Sequence, residues 1–125
     1  MREFSTGATR DTELELAWAG GFFDGEGSTC CTYNNGKPYT RISLSIGQKN
    51  EEGNRIASTL LRFQQAVGTG KIYKKAHASR DNNQHQWSVC KRYDVLNTIL
   101  KLWPHMSGTK RKQARRALHL FLGAN

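Results

Sequence analysis

The chain has 125 residues and a formal charge of +9 at pH 7, from 19 Lys and Arg against 10 Asp and Glu. That length supports a single domain that buries roughly two thirds of its unfolded surface; it contains no apolar run of signal-peptide or membrane length, so a soluble, intracellular protein with no membrane partner is expected. A basic body whose acids concentrate at Asp11, Glu13, Glu15, Asp24, Glu26, Glu51 and Glu52 favours a polyanionic partner, nucleic acid before any other.

Residues 1–10 lack apolar periodicity and are expected to form a loose tail. Asp11 or Thr12 then caps a helix that starts near Glu13, with acids in its first turn where the helix dipole favours them. Leu14, Trp18 and Phe22 recur at spacings of four and define a core face. Ala17, Gly20, Gly21 and Asp24 define a second, thinner face, and Gly25 and Gly27 end the helix near Asp24. A strand over 28–33 and a turn over 34–38 lead into 39–46, where Ile42, Leu44 and Ile46 alternate with Tyr39, Arg41, Ser43 and Ser45.

The pattern predicts a helix from about Glu52 to Val67, ended by Gly68, with Ile56, Leu60, Leu61 and Phe63 apolar. Strands follow over 71–75, with Ile72 inward, and over 85–90, with Trp87 and Val89 inward and Gln86 and Ser88 outward. A helix over 93–103 stops at Pro104, and a basic helix over 110–122 ends at Gly123. Leu96, Leu100 and Trp103 are assigned to the core with the first-helix aromatics. This order predicts an α+β domain spanning 1–125, a four-stranded antiparallel sheet with helices on one face and a polar opposite face. Cys30 and Cys31 are adjacent, and Cys90 leaves an odd count, which argues for a reducing compartment. The four histidines show no metal-binding spacing.

The most informative segment is 16–28, Leu-Ala-Trp-Ala-Gly-Gly-Phe-Phe-Asp-Gly-Glu-Gly-Ser. Each Gly costs a helix interior about 0.5–1 kcal/mol relative to Ala, so a pair of them implies a close approach that a Cβ would block. The run then delivers a carboxylate to the end of that contact. From Ala19 to Gly27 it resembles the LAGLIDADG motif of homing endonucleases, in the variant ending Asp-Gly-Glu-Gly. It differs at Ala19, where the family usually has Leu, and at Gly20, where it usually has Ala. The resemblance extends to element order, αββαββα, over roughly residues 13 to 122.

The resemblance implies a homodimer in which two first helices pack through Ala17, Gly20, Gly21 and Asp24 and bring two Glu26 side chains to a twofold axis. It implies a divalent cation, Mg²⁺ or in the bound state Mn²⁺ or Ca²⁺, held at Glu26 and Gly25, and a double-strand cut in a long, pseudo-palindromic duplex. Gln48 falls where the family carries a water-holding polar residue, and Lys110 where it carries a basic residue near the scissile phosphate; alone, each is also an ordinary turn residue or helix charge. Intron or intein mobility is the role the family implies.

Strand parity supplies the DNA-facing candidates: Cys30, Thr32, Tyr39, Arg41, Ser43, Ser45, Lys71, Tyr73, Lys75, Gln86 and Ser88, with Asn34, Lys37 and Arg80 at the hairpin tips. Lys112, Arg115 and Arg116 suit phosphates better than bases. The rival reading is a non-cleaving nucleic-acid binder of the same fold, a transcription regulator or an RNA-splicing maturase.

Overall fold

The computed structural model describes residues 2–33, 40–49, 56–74 and 84–123. Its elements are α1 (Arg2–Glu26), β1 (Gly27–Tyr33), β2 (Thr40–Lys49), α2 (Ser58–Val67), β3 (Lys71–Lys74), β4 (Gln84–Val89), α3 (Arg92–Leu102), a 3₁₀ turn (Trp103–His105) and α4 (Gly108–Gly123). The sheet order is β1-β2-β4-β3, with every neighbouring pair antiparallel. Two hairpins joined through α2 therefore place β2 and β4 side by side in the middle and leave β1 and β3 at the edges. The predicted α+β order is present, with α4 as the C-terminal helix.

Alternation in the strands sets the layers. Ile42, Leu44 and Ile46 of β2 are buried together with Trp87 and Val89 of β4, and all helices contact this face or each other. Trp87 is the centre of the core. Its ring meets Phe63 edge-on at 4.7 Å, and its Nε1–H donates to the Thr69 carbonyl at 2.9 Å, so the one polar atom of a fully buried indole is satisfied. Burying a side chain of this size stabilises the fold by roughly 1.5–3 kcal/mol. Phe63 also stacks near Phe23, which ties α1 to α2 through aromatic contacts. On the outer side of the same pair, Arg62 makes a two-pronged bond with Glu15, at 2.7 and 3.0 Å, and lies 3.9 Å over the Trp18 ring.

Several boundaries and faces differ from expectation. The helix expected from Glu13 begins at Arg2, so the segment assigned to a loose tail is helical from that residue onward. Extending an existing helix costs far less than nucleating one, and 13–26 supplies the nucleus. At its other end α1 continues through Gly25 to Glu26; neither Gly25 nor Gly27 adopts a positive φ, and the helix passes directly into β1. Helix α2 begins at Ser58, with Ala57 before it at ψ 133° and so outside the helix; positions 52–55 of the expected helix lie outside the described residues. Its predicted end is correct: Gly68 has φ 76° and its N–H donates to the Gln64 carbonyl. Leu14 and Leu100, assigned to the core, are 63% and 69% exposed. Helical spacing marks a face; it does not say what covers it.

Candidate active site and nucleic-acid face

The end of α1 breaks a local rule. Its last turn holds Asp24 and Glu26 and no basic residue, at the pole of the helix where the dipole is already negative. The two acids have different surroundings. Asp24 Oδ1 accepts the Ser107 backbone N–H at 2.7 Å. Ser107 in turn starts α4: its carbonyl accepts the Arg111 N–H at 2.9 Å and its hydroxyl faces the Lys110 N–H at 3.4 Å. Asp24 thus fixes the beginning of α4 against the end of α1 across 83 residues of sequence.

Its carboxyl is held below the ordinary value of 3.8, first by the Ser107 backbone hydrogen bond, then by the Ser107 hydroxyl, with the Lys110 charge adding to both. A depressed folded pKa contributes stability above the unfolded value, and that contribution is lost as pH falls through the folded one. Asp24→Asn is therefore less stable than the wild type at neutral pH. The gap closes as pH drops below the ordinary carboxylate value, a trend read from denaturant unfolding at successive pH values. A gap that stays constant into acid would mean that the charge on Asp24 is immaterial.

Glu26 is exposed. Lys110 is brought to it from α4: its Nζ donates to the carbonyl of Gly27, the next residue, at 2.5 Å, and lies 6.0 Å from the Phe23 ring centroid. Gly27 is required here, since a Cβ would stand 2.3 Å from the Phe23 ring. The last four carbonyls of a helix have no intrahelical partner, which makes the Gly25 and Glu26 carbonyls acceptors at this junction. Gln48 lies on β2 two residues beyond Ile46, the partner of Gly27, so it occupies the same end of the sheet. The structure therefore gathers Glu26, Gly25 and Lys110 at one junction and puts Gln48 at the adjoining sheet end.

Sequence reasoning missed His85. It is 7% exposed and pairs with Gln48 on one side and Lys74 on the other, in one row across three strands. Its Nδ1 is buried and has no hydrogen-bond partner among the described residues. The available signal was parity: His85 shares the inward side with Trp87, where a polar residue is unexpected. Among the described residues no group of three or more His, Cys, Asp or Glu is placed to hold a metal ion.

The proposed interface residues separate. Gly20 points into the chain itself, as a Cβ there would lie 2.3 Å from the Cβ of His105, and Asp24 is taken by Ser107. The 3₁₀ turn and Ser107 after it thus pack against this side of α1 within one chain. Ala17 is half-buried, and Gly21 and Gly25 have open space where a Cβ would be. With exposed Leu14 they form an uncovered stripe at spacings of three and four.

The polar side of the sheet follows predicted parity. Ser28, Ser45, Ser88 and Lys71 form one row across all four strands; Gly47, Gln86 and Tyr73 form a second, and Cys30 pairs with Ser43 and Thr32 with Arg41. Cys30, Arg41, Lys71 and Tyr73 are exposed, whereas Ser43, Ser45, Gln86 and Ser88 are half-buried. Lys112 is exposed on α4. Asn34, Lys37, Tyr39, Lys75 and Arg80 lie outside the described residues, as does the side chain of Thr32.

A four-stranded antiparallel sheet with helices packed against it is the α+β fold of solved LAGLIDADG homing endonucleases. The homing endonuclease I-CvuI, solved on an I-CreI target in the presence of Mg with the DNA not cleaved, matches with a TM-score of 0.70 and 24% identity, over 87% of this chain and 66% of its own. The homing endonuclease I-TnaI matches with a TM-score of 0.64 and 18% identity, over 86% and 71%. The LAGLIDADG meganuclease I-AabMI, bound to uncleaved DNA, matches with a TM-score of 0.66 and 17% identity, over 89% and 38%. The chain thus spans just under two thirds of I-CvuI and about two fifths of I-AabMI. No family model and no curated protein matches the sequence. Among the described residues no helix is long and apolar enough to cross a membrane.

Proposed function

We propose that this chain is one half of a homodimeric, divalent-metal-dependent endonuclease that cuts both strands of a long, pseudo-palindromic DNA site and serves intron or intein mobility. The observation that carries the reading is the exposed Glu26 at the negative end of α1, an arrangement that costs stability in the free chain and is useful where a cation binds. The donor set suits Mg²⁺, which takes oxygen ligands, keeps several waters and needs one or two carboxylates beside a phosphate. Glu26 would hold it with the Gly25 carbonyl, and a second copy packed along Leu14, Ala17 and Gly21 would bring its own Glu26. When bound, the cation supplies charge neutralisation at phosphorus and activation of water.

The chain's own groups do the rest. The carboxamide of Gln48 orients the attacking water. Lys110 keeps further N–H donors after its bond to Gly27 and offers them to the phosphate oxygens. The serine, glutamine, lysine and arginine rows of the open sheet face lie in the major groove, where such groups read base edges. A twofold protein then matches a palindromic duplex half-site by half-site. The test is selection from a randomised duplex pool with Mg²⁺ or with EDTA. Enrichment of one palindromic cleaved site with metal alone supports the reading, and a pool left intact with metal overturns it.

His85 belongs to this scheme as the support of Gln48, since the pair share one face of the sheet at neighbouring positions. Replacing His85 by Asn slows single-turnover cutting by about tenfold while DNA affinity holds, in line with the loss of other outer-shell partners. An unchanged rate would assign His85 to packing alone.

A further inference from the structure

We propose that the cleft between β1 and α4 seats one backbone phosphate of the bound duplex, a neighbour of the phosphate that is cut. This deepens the DNA-cutting reading and rests on it. The cleft encloses about 490 Å³, and its walls are Ser28, Thr29, Lys110, Gln113 and Arg116, with Cys31 at its floor. Two of these side chains carry positive charge, and no acid is among them. Lys110, Gln113 and Arg116 are spaced by three and so share one side of α4. Cys31 marks the depth, as its thiol reaches the Ala117 carbonyl at 3.9 Å. Burial pushes that thiol's pKa up, Cys30 adds to the push, and the charge of Arg116, which lines the same cleft, draws it partly back.

The ligand class follows from the donors. With Lys110 committed to the cutting centre, the Arg116 guanidinium, the Gln113 amide and the Ser28 and Thr29 hydroxyls remain, N–H and O–H groups that suit a phosphodiester with two free oxygens. β1 is an edge strand, and half of an edge strand's backbone groups lack a strand partner. Ser28 Oγ lies 3.2 Å from Ser45 Oγ on the polar face, so the cleft borders the surface assigned to DNA. Arg116 lies six positions after Lys110, about 9 Å along a helix. Lys110 serves the cutting centre, and Arg116 therefore meets a different phosphate.

The probe is the duplex recovered by the wild type from the randomised pool, with each phosphate replaced in turn by an uncharged methylphosphonate. At one flanking position per half-site the replacement weakens wild-type binding by about tenfold and leaves Arg116→Gln binding unchanged, as removal of either partner of one charged contact requires. On the unmodified duplex Arg116→Gln reduces the slope of log affinity against log salt by about 0.9 per protomer. Gln113→Ala loses less, at the same position. Arg115→Gln, whose native guanidinium lies 5.6 Å from the Trp103 ring centroid, retains sensitivity there. If Arg116→Gln abolishes sensitivity at no single phosphate, or Arg115→Gln abolishes it at the same one, the seat is overturned and the charge acts diffusely. A wild type that enriches no duplex overturns the DNA reading, and the seat with it.

Discussion

Glu26→Gln gives a protein that folds, binds duplex DNA and no longer cuts it. The side chain is exposed, so the amide disturbs no packing. It also removes a negative charge from the C-terminal pole of α1, where relief of the dipole repulsion is worth about 0.3–1 kcal/mol. The melting temperature therefore stays level or rises slightly. Activity moves the other way. A neutral amide is a poor ligand for a hard cation, and losing several kcal/mol of transition-state stabilisation lowers the rate by roughly 10³-fold. Stability gained together with activity lost separates a functional carboxylate from a structural one. The readout is paired: thermal melting, and cleavage of the selected duplex in Mg²⁺. Equal cutting by both proteins would remove Glu26 from the chemistry. Tight binding by both with cutting by neither would favour the non-cleaving binder.

The sheet was legible because alternation is a local property. Ile42, Leu44 and Ile46 on one side of β2 and Trp87 and Val89 on one side of β4 needed no knowledge of partners, and the register confirmed their shared face. The acidic helix end was legible for the same reason, since two acids and no base within one turn stand out in the sequence. What failed depended on distant neighbours. Leu14 and Leu100 have the spacing of core residues, yet both are exposed among the described residues. The bond from Ser107 to Asp24 was out of reach of the sequence because Ser107 is on another element. The row of Gln48, His85 and Lys74 exists only once three strands are in register. Arg116 was read as a phosphate contact from its charge and helix, but the cleft it lines exists only once α4 lies beside the edge of β1.

The two adjacent glycines of α1 separate fold from assembly. In Gly20→Ala the new methyl would stand 2.3 Å from the Cβ of His105 and 3.3 Å from its backbone, so the 3₁₀ turn must shift rather than a flexible side-chain tip. Overpacking of that sort costs about 1–3 kcal/mol and lowers the melting temperature by roughly 5–10 °C. The turn precedes Ser107 and Lys110, so displacement carries the lysine from the Gly27 carbonyl, and cutting falls even at temperatures where the variant is folded. Gly21→Glu is the converse. Among the described residues no atom lies within 4 Å of its Cβ position, and Glu is a better helix former than Gly, so the isolated chain is as stable as before. In a dimer built on Leu14, Ala17 and Gly21, however, each copy would drive a charge into the other at the point of closest approach, and like charges brought together out of water are strongly unfavourable. Sedimentation then finds monomer where the wild type is a dimer, and cleavage of both strands disappears with it. A Gly21→Glu protein that remains dimeric and cuts as before would place the subunit contact on another surface of the molecule, and with it the pairing of the two Glu26 carboxylates would fall.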